Sequence, residues 1–185
     1  MATCYIFAAG SFYGLTEYPS EGDFVIAADA GLGEAPDGSN VFQLPVEKDD
    51  TDTIYAMRVG LERGYTDFVV YGGTGGSRAD HTIANLQGLL FLSSHGAHCR
   101  MYGDGVVWSV LHNETISFPA GCSGTLSLFC MDGAARGVTI RGLKYELTDA
   151  KIRSDFPIGV SNSFTGAASV EVRDGTLIMI HDIFG

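Results

Sequence analysis

The chain has 185 residues, 45% hydrophobic and 18% charged, which is the composition of an ordinary globular protein able to bury a core. Its formal charge of -11, from 22 acidic and 11 basic side chains, argues against a broad nucleic-acid or membrane-surface footprint, since either needs clustered Lys and Arg. No apolar run approaches the ~20 residues of a membrane span. Met1 to Cys4 carries no basic segment or cleavage-like site. Cys4, Cys99, Cys122 and Cys130 lack paired metal-ligand spacing and read as buried, reduced thiols, so a cytoplasmic location is expected.

In chain order, residues 4–9 and 24–28 read as buried strands, and 41–44 as a third, stopped by Pro45. Ile54, Met57 and Leu61 recur at helical spacing, predicting a helix over 52–63 closed by Gly64. Residues 68–71 form the fourth strand. A second helix follows, with Asp80 as its N-cap and Ile83, Leu86 and Leu90 on one face. Residues 98–102 are a fifth strand. Such alternation predicts an α/β N-terminal domain with a mainly parallel, Rossmann-like sheet over residues 1–103. From 104 to 185 only short strand-like runs and turns recur, with Asp174-Gly175 as a hairpin turn, predicting an all-β C-terminal sandwich domain. One connection does not fit. A parallel crossover needs a dozen or more residues, usually a helix, and residues 29–40 show no helical period. Either these strands are not parallel neighbours or the chain lacks a segment there.

Chemistry concentrates in two stretches that each open a helix. Gly72-Gly73-Thr74-Gly75-Gly76 follows a strand and leads to Arg78, Asp80 and His81. A strand, a glycine turn and a helix start form a place for an anion to meet backbone N–H groups. The turn is neither a Walker A loop, which needs Gly-Lys-Ser/Thr, nor a dinucleotide fingerprint. A tight strand-to-helix connection explains the glycines equally well. Arg78 offers a planar fork for phosphate oxygens. Asp80 could orient a hydroxyl or hold a metal-bound water, or simply cap the helix.

The second stretch, Lys48-Asp49-Asp50-Thr51-Asp52, carries more carboxylates than capping requires, and Mg²⁺ takes a few carboxylates with waters and phosphate oxygens. A solvated acidic turn is the competing reading. Asp29, at the end of a strand, could join Asp52 and Asp80 at the edge where open α/β sheets bind ligands. His95, His98 and Cys99 lack the partners that a metal site needs.

These residues resemble the bacterial thiamine pyrophosphokinases. The likeness rests on Ala27-Ala28-Asp29-Ala30-Gly31, on Pro45 through Lys48-Asp49-Asp50-Thr51-Asp52-Thr53, and on Gly75-Gly76-Ser77-Arg78-Ala79-Asp80-His81 with Asn85 and Gln87. In the second half it rests on Gly142-Leu143-Lys144-Tyr145 and Gly159-Val160-Ser161-Asn162. The resemblance implies an N-terminal ATP- and Mg²⁺-binding catalytic domain, and a C-terminal thiamine-binding and dimerisation domain in a homodimer. It implies transfer of the terminal diphosphate of ATP to thiamine, giving thiamine diphosphate and AMP. It places Asp29, Asp49 and Asp52 at the metal, and Asp49, Asp52 and Asp80 among the catalytic groups, with Asp52 the first choice of base. Lys48, Thr74, Gly75, Gly76, Arg78 and His81 would contact ATP. Tyr145, Ser161 and Asn162 would contact thiamine.

The chain departs from that family at three places. Ser77 separates the glycines from Arg78, and Tyr145 stands where tryptophan is common. The Gly-Asp-x-Asp-Ser metal motif that the family carries before the Pro45 region is absent, at the same place as the short crossover. The crossover length suggests that roughly 20–30 residues are missing after Leu32. Two other functions compete with the enzyme: a non-catalytic thiamine or nucleotide binder, and a β-module that binds carbohydrate or protein.

Overall fold

A computed structural model describes residues 2–28, 33–36, 41–43 and 51–184, for 41–43 the backbone only. The chain divides into two compact units, Met1–Gly105 and Val106–Gly185.

In the first unit, β1 (Cys4–Phe7) pairs in parallel with β2 (Phe24–Ala27), and β2 pairs with β3 (Val41–Gln43). On its other side β1 pairs with β4 (Asp67–Tyr71), and β4 pairs with β5 (His98–Tyr102), again in parallel. β2 and β3 are therefore parallel neighbours despite their short connection. The strand order is 3-2-1-4-5, so the chain leaves β1 toward β2 and leaves β4 toward β5, in opposite directions. Helix α1 (Asp52–Glu62) precedes β4, and α2 (Ala79–Ser94) precedes β5.

Small residues set how closely the helices pack. A Cβ on Gly60 of α1 would fall 2.5 Å from the Phe68 ring and 3.0 Å from Cys4 Sγ. A Cβ on Gly88 of α2 would fall 2.8 Å from Met57 Sδ. The buried faces are consequently Thr53, Ala56, Met57 and Gly60 on α1, and Asn85, Gly88, Leu89 and Leu92 on α2. The expected α2 stripe of Ile83, Leu86 and Leu90 is displaced, and Ile83 is 59% exposed.

The opposite side of the sheet carries aromatic rings. Tyr71 stacks between Phe7 and Tyr102, at centroid distances of 5.5 and 5.3 Å, with Phe12 edge-on. The β1–β2 connection, residues 8–23, lies over these rings without a helix. The Tyr71 hydroxyl accepts from the Glu17 N–H and donates to the Glu17 carbonyl, both at 2.8 Å. Arg100 donates to the Glu17 carboxylate through Nε at 2.7 Å and to Asp67 through a terminal nitrogen at 2.9 Å. The Tyr102 hydroxyl also donates to Glu17.

In the second unit, β6 (Val106–His112) pairs with β12 (Thr176–Asp182), and β12 with β8 (Thr125–Cys130), all antiparallel. The long strand β11 (Gly159–Glu171) pairs with β8 near its start. Farther along it pairs with β9 (Ala134–Leu143) and β7 (Thr115–Phe118), and β9 carries β10 (Leu147–Arg153). One core cluster draws on strands of both groups, including Leu126, Leu128, Val138, Ile140, Val170, Leu177 and Met179.

The architecture corrects the expected fold class. The described residues hold twelve strands, in parallel and antiparallel pairing, and only two helices. This is a mixed, mostly-strand protein, not a Rossmann-like α/β domain with an appended sandwich. The alternation of apolar runs was read as repeated βα units. Among the described residues, however, only the β3–β4 and β4–β5 connections contain an α-helix.

The four cysteines are free, and burial pushes the Cys4 thiol up to about 12. Among the described residues no helix is long and apolar enough to cross a membrane.

Candidate functional site

The strand order of the first unit creates an opening beyond the carboxyl ends of β1 and β4. Chains leave those two strands in opposite directions, and open parallel sheets bind ligands at such points. Past β1, the backbone continues to follow the β4 exit. The Ala8, Gly10 and Ser11 N–H groups donate to the Tyr71, Gly72 and Thr74 carbonyls at 2.8, 2.8 and 3.0 Å. At positions 10 and 72 only a residue without a side chain allows this approach. A Cβ on Gly72 would fall 2.3 Å from the Ala8 carbonyl oxygen, and one on Gly10 would fall 2.4 Å from the Gly72 oxygen. Gly72, Gly75 and Gly76 also have φ of 68°, 78° and 74°, a region that favours glycine.

A cavity of about 600 Å³ opens there. Its walls are Ala8–Ser11, the starts of the two helices, and the glycine turn. From α1 come Thr51, Asp52 and Thr53; from the start of α2 come Arg78, His81 and Thr82. Two helix N-termini thus face one cavity, where their partial positive charge and N–H groups favour an anion. Thr51 caps α1, its hydroxyl accepting from the Ile54 N–H at 3.4 Å. The α1 cap is therefore a threonine rather than one of the acidic side chains. At α2 the cap position is Arg78, with no side-chain cap bond, so Asp80 is not the cap. Buried Asn85 ties α2 to the turn, its amide donating to the Gly73 carbonyl at 2.7 Å.

Of the expected ATP contacts, Gly75, Gly76, Arg78 and His81 line this cavity. Thr74 is buried at 8% exposure behind the turn and is not among the lining residues. Lys48, Asp29 and Asp49 lie outside the described residues. Asp52 is on the cavity wall, half-buried. Asp80 is exposed beside it and engaged by Arg78, whose Nε and terminal nitrogen reach its carboxylate at 3.0 and 2.7 Å. Hydrogen bonding from Arg78 lowers the Asp80 carboxyl to about 2. The sequence reading missed Ala8–Ser11, Thr51, Thr53 and Thr82. Thr51 and Thr53 flank Asp52 and Thr82 follows His81, as hydroxyls with no signal of their own, whereas only the strand order brings Ala8–Ser11 to the turn.

Among the described residues no group of three or more His, Cys, Asp or Glu side chains could hold a metal ion. At the start of α1, the Asp52 carboxylate and the Thr51 and Thr53 hydroxyls line the cavity and are oxygen ligands of the kind hard Mg²⁺ takes.

In the second unit, Tyr145 and Asn162 meet. The Tyr145 N–H donates to Asn162 Oδ1 at 2.8 Å, and the Asn162 amide donates to the Tyr145 carbonyl at 2.6 Å. Asn162 is buried by this exchange, while the Tyr145 side chain stays 61% exposed with Lys144 Nζ 5.3 Å from its ring centre. Ser161 lies within the register shift between Gly159 and Asn162 at a φ of 58°, its N–H donating to the Ser127 hydroxyl at 2.9 Å. The three expected thiamine contacts are thus gathered at one bulge of β11.

Two family models match the chain. Residues 33–101 match the thiamin pyrophosphokinase catalytic domain, and residues 113–177 match the thiamin pyrophosphokinase vitamin B1 binding domain. The chain belongs to the thiamin pyrophosphokinase family. It is an enzyme that makes thiamine diphosphate by diphosphate transfer.

Solved structures share the fold. The thiamine pyrophosphokinase of Bacillus subtilis superposes with a TM-score of 0.84 at 22% identity, over 97% of this chain and 98% of that one. The Geobacillus thermodenitrificans thiamin pyrophosphokinase gives 0.82 at 20% identity, over 98% and 97%. That of Candida albicans gives 0.76 at 12% identity, over 98% and 89%. No curated protein matches the chain.

Proposed function

We propose that the cavity between the glycine turn and the two helix N-termini binds ATP, and that its terminal diphosphate is transferred from there to thiamine. One observation carries this reading. Arg78, the turn, the start of α1 and the start of α2 converge on a single opening at the switch between β1 and β4. A triphosphate presents several anionic oxygens along one chain, and this opening offers donors along its length.

In the reaction, the thiamine hydroxyl oxygen forms a bond to the β-phosphorus of ATP while the bond from that phosphorus to the oxygen of AMP breaks. The leaving oxygen keeps the electron pair, and the hydroxyl proton passes to a carboxylate. Asp52 is our assignment for that base, because it is the one carboxylate on the cavity wall among the described residues. Arg78 neutralises phosphate charge and holds the diphosphate in line, which is most of what phosphoryl-type transfer asks of a protein. Mg²⁺, when bound, would supply further charge neutralisation on the phosphate oxygens. Asp52, Asp29 and Asp49 would hold it.

Thiamine would be met by Tyr145, Ser161 and Asn162. Support for a ligand or subunit surface there comes from Tyr145, Ile158 and Val160, which are 61%, 47% and 43% exposed on and beside the same strand. Isolated large apolar groups are normal on a surface, but neighbouring ones mark contact sites. We assign this face to a homodimer in which thiamine lies at the subunit boundary, and we place the enzyme in the cytoplasm. The short β2–β3 connection and the absent acidic motif favour a longer native segment after Leu32. An intact mass matching 19.6 kDa would remove that proposal.

Detection of AMP from ATP and thiamine tests the reading as a whole. We expect AMP and thiamine diphosphate in equal amounts, dependent on both substrates and on Mg²⁺. Thiamine binding without AMP formation would overturn it in favour of a binding protein.

A further inference from the structure

The helix-free β1–β2 connection raises a question that the motifs do not answer. Its first residues form one wall of the cavity, and they contain a side chain that could reach a ligand. The Ser11 N–H is bound to the Thr74 carbonyl, which fixes the backbone beside the glycine turn. A Cβ on Gly75 would fall 2.7 Å from Ser11 Oγ, and one on Gly76 would fall 4.0 Å from it. The Ser11 hydroxyl, together with the Tyr13 hydroxyl 2.5 Å from the same point, therefore occupies the space a side chain at 75 would take, and it lies within contact distance of position 76. Ser11 itself lines the cavity. Among the described residues its hydroxyl makes no hydrogen bond to the protein.

The connection is fixed from its far end as well. Glu17 is held through its backbone by Tyr71 and through its carboxylate by Arg100 and Tyr102. With backbone bonds at 8, 10 and 11 and this clamp at 17, Ser11 is placed before any ligand arrives. A donor placed in advance costs a ligand little ordering entropy. Arg78 is the one Lys or Arg lining the cavity among the described residues, so neutral donors carry weight there.

We propose that Ser11 is an ATP-binding residue, its hydroxyl donating to a phosphate oxygen held at the Gly75–Gly76 turn, with the Glu17 clamp as its positioning device. The inference rests on the reading of the cavity as the ATP site. It adds the β1–β2 connection to that site.

Two variants test it, Ser11→Ala, which removes the hydroxyl, and Ser11→Cys, which keeps the bulk but donates weakly. ATP binding is measured by calorimetry with Mg²⁺ present, alongside steady-state kinetics and thermal unfolding. A hydrogen bond to a charged group is worth enough that both variants should weaken ATP by about tenfold and raise its KM equally. Kcat, the thiamine KM and the melting midpoint should not change. A merely structural serine would shift the melting midpoint and both KM values together, which would overturn the proposal. Wild-type ATP affinity in either variant would also overturn it; should Ser11→Ala fail to fold, Ser11→Cys decides alone. Failure of the unmodified protein to bind ATP would defeat the ATP reading itself, and the two failures are told apart without any variant.

Discussion

Arg78 holds the Asp80 carboxylate with two donors, Nε at 3.0 Å and a terminal nitrogen at 2.7 Å, at the first turn of α2. Both residues were expected at the reacting groups, and the structure shows each occupied by the other. Their side chains are 64% and 65% exposed. Solvent-exposed pairs contribute little, so a polyphosphate has only a weak partner to displace from the guanidinium. The pair is better read as Arg78 held ready than as a structural link.

This gives a titration prediction. Hydrogen bonding from Arg78 keeps Asp80 ionised down to about 2. A carboxyl whose pKa is depressed on folding stabilises the protein above its unfolded value and loses that contribution as pH falls through the folded value. The window here runs from about 4 down to about 2. In Arg78→Gln, the Asp80 carboxyl should titrate higher, toward the ordinary value, with only the His81 N–H and charge still lowering it. Carbon-detected NMR of the side-chain carboxyl reads this directly. An unchanged midpoint in the variant would mean that Arg78 does not hold Asp80 in solution.

Asp52→Asn tests the choice of base. Asparagine keeps the size and much of the polarity at the cavity wall but accepts no proton and carries no charge. General-base catalysis contributes about 10²–10⁴-fold, and AMP release should fall by at least that much. Circular dichroism should match that of the unmodified protein, because Thr51 caps α1, and the melting midpoint should fall only slightly, through loss of a first-turn negative charge. Near-normal AMP release would take Asp52 out of the mechanism.

The Arg100 cluster on the other side of the sheet has a pH signature of its own. Burial opposes the charge of Asp67, but hydrogen bonds from Arg100 and the Thr3 hydroxyl outweigh it and hold the carboxyl below the usual range. Arg100→Gln leaves Asp67 and Glu17 half-buried without their cation. Side-chain exposures of 34% for Arg100, 32% for Glu17 and 24% for Asp67 put the loss between that of a surface pair and a buried one, on the order of 2 kcal/mol. The lowered Asp67 pKa means this stabilisation is present above about pH 4 and fades in acid. Urea unfolding at neutral pH should show the full deficit, and at pH 3 a smaller one. Equal deficits at both would assign the effect to lost packing of the arginine stem.

What the sequence revealed followed what it can encode locally. Apolar runs marked β1, β2, β4 and β5, and the charged stretches marked both helix starts. Gly75, Gly76, Arg78, His81 and Asp52 were legible as a site because glycine turns and charge at helix starts carry a physical reason. The helix faces were misread because Gly60, Gly88 and Asn85 are buried without being apolar. Strand β10 was missed since Thr148, Asp149, Lys151 and Arg153 face solvent, with Ile152 alone among its residues fully buried. The cavity wall at Ala8–Ser11 was invisible for a different reason. It is made by backbone hydrogen bonds to a strand some sixty residues away, which no local pattern records. The fold-class error came from the same source, because apolar alternation does not say whether a connection is a helix or a strap.

Gly60 shows how strongly such a residue can be constrained. In an exposed helix interior, glycine to alanine should stabilise by about 1 kcal/mol through helix propensity. Here the added Cβ would lie 2.5 and 2.9 Å from two ring carbons of Phe68 and 3.0 Å from Cys4 Sγ. Phe68 and Cys4 are both fully buried, with no room to move away. Overpacking of this kind costs about 1–3 kcal/mol and exceeds the propensity gain. Gly60→Ala should therefore be destabilised by about 1 kcal/mol or more, seen as a lower urea midpoint. The companion Gly88→Ala meets only the flexible Met57 side chain and Ile54, so the thioether can give way and its loss should be smaller. A Gly60→Ala protein as stable as the original would mean that α1 sits farther from β1 and β4 than described. The cavity wall at Thr51–Thr53 would then shift with it.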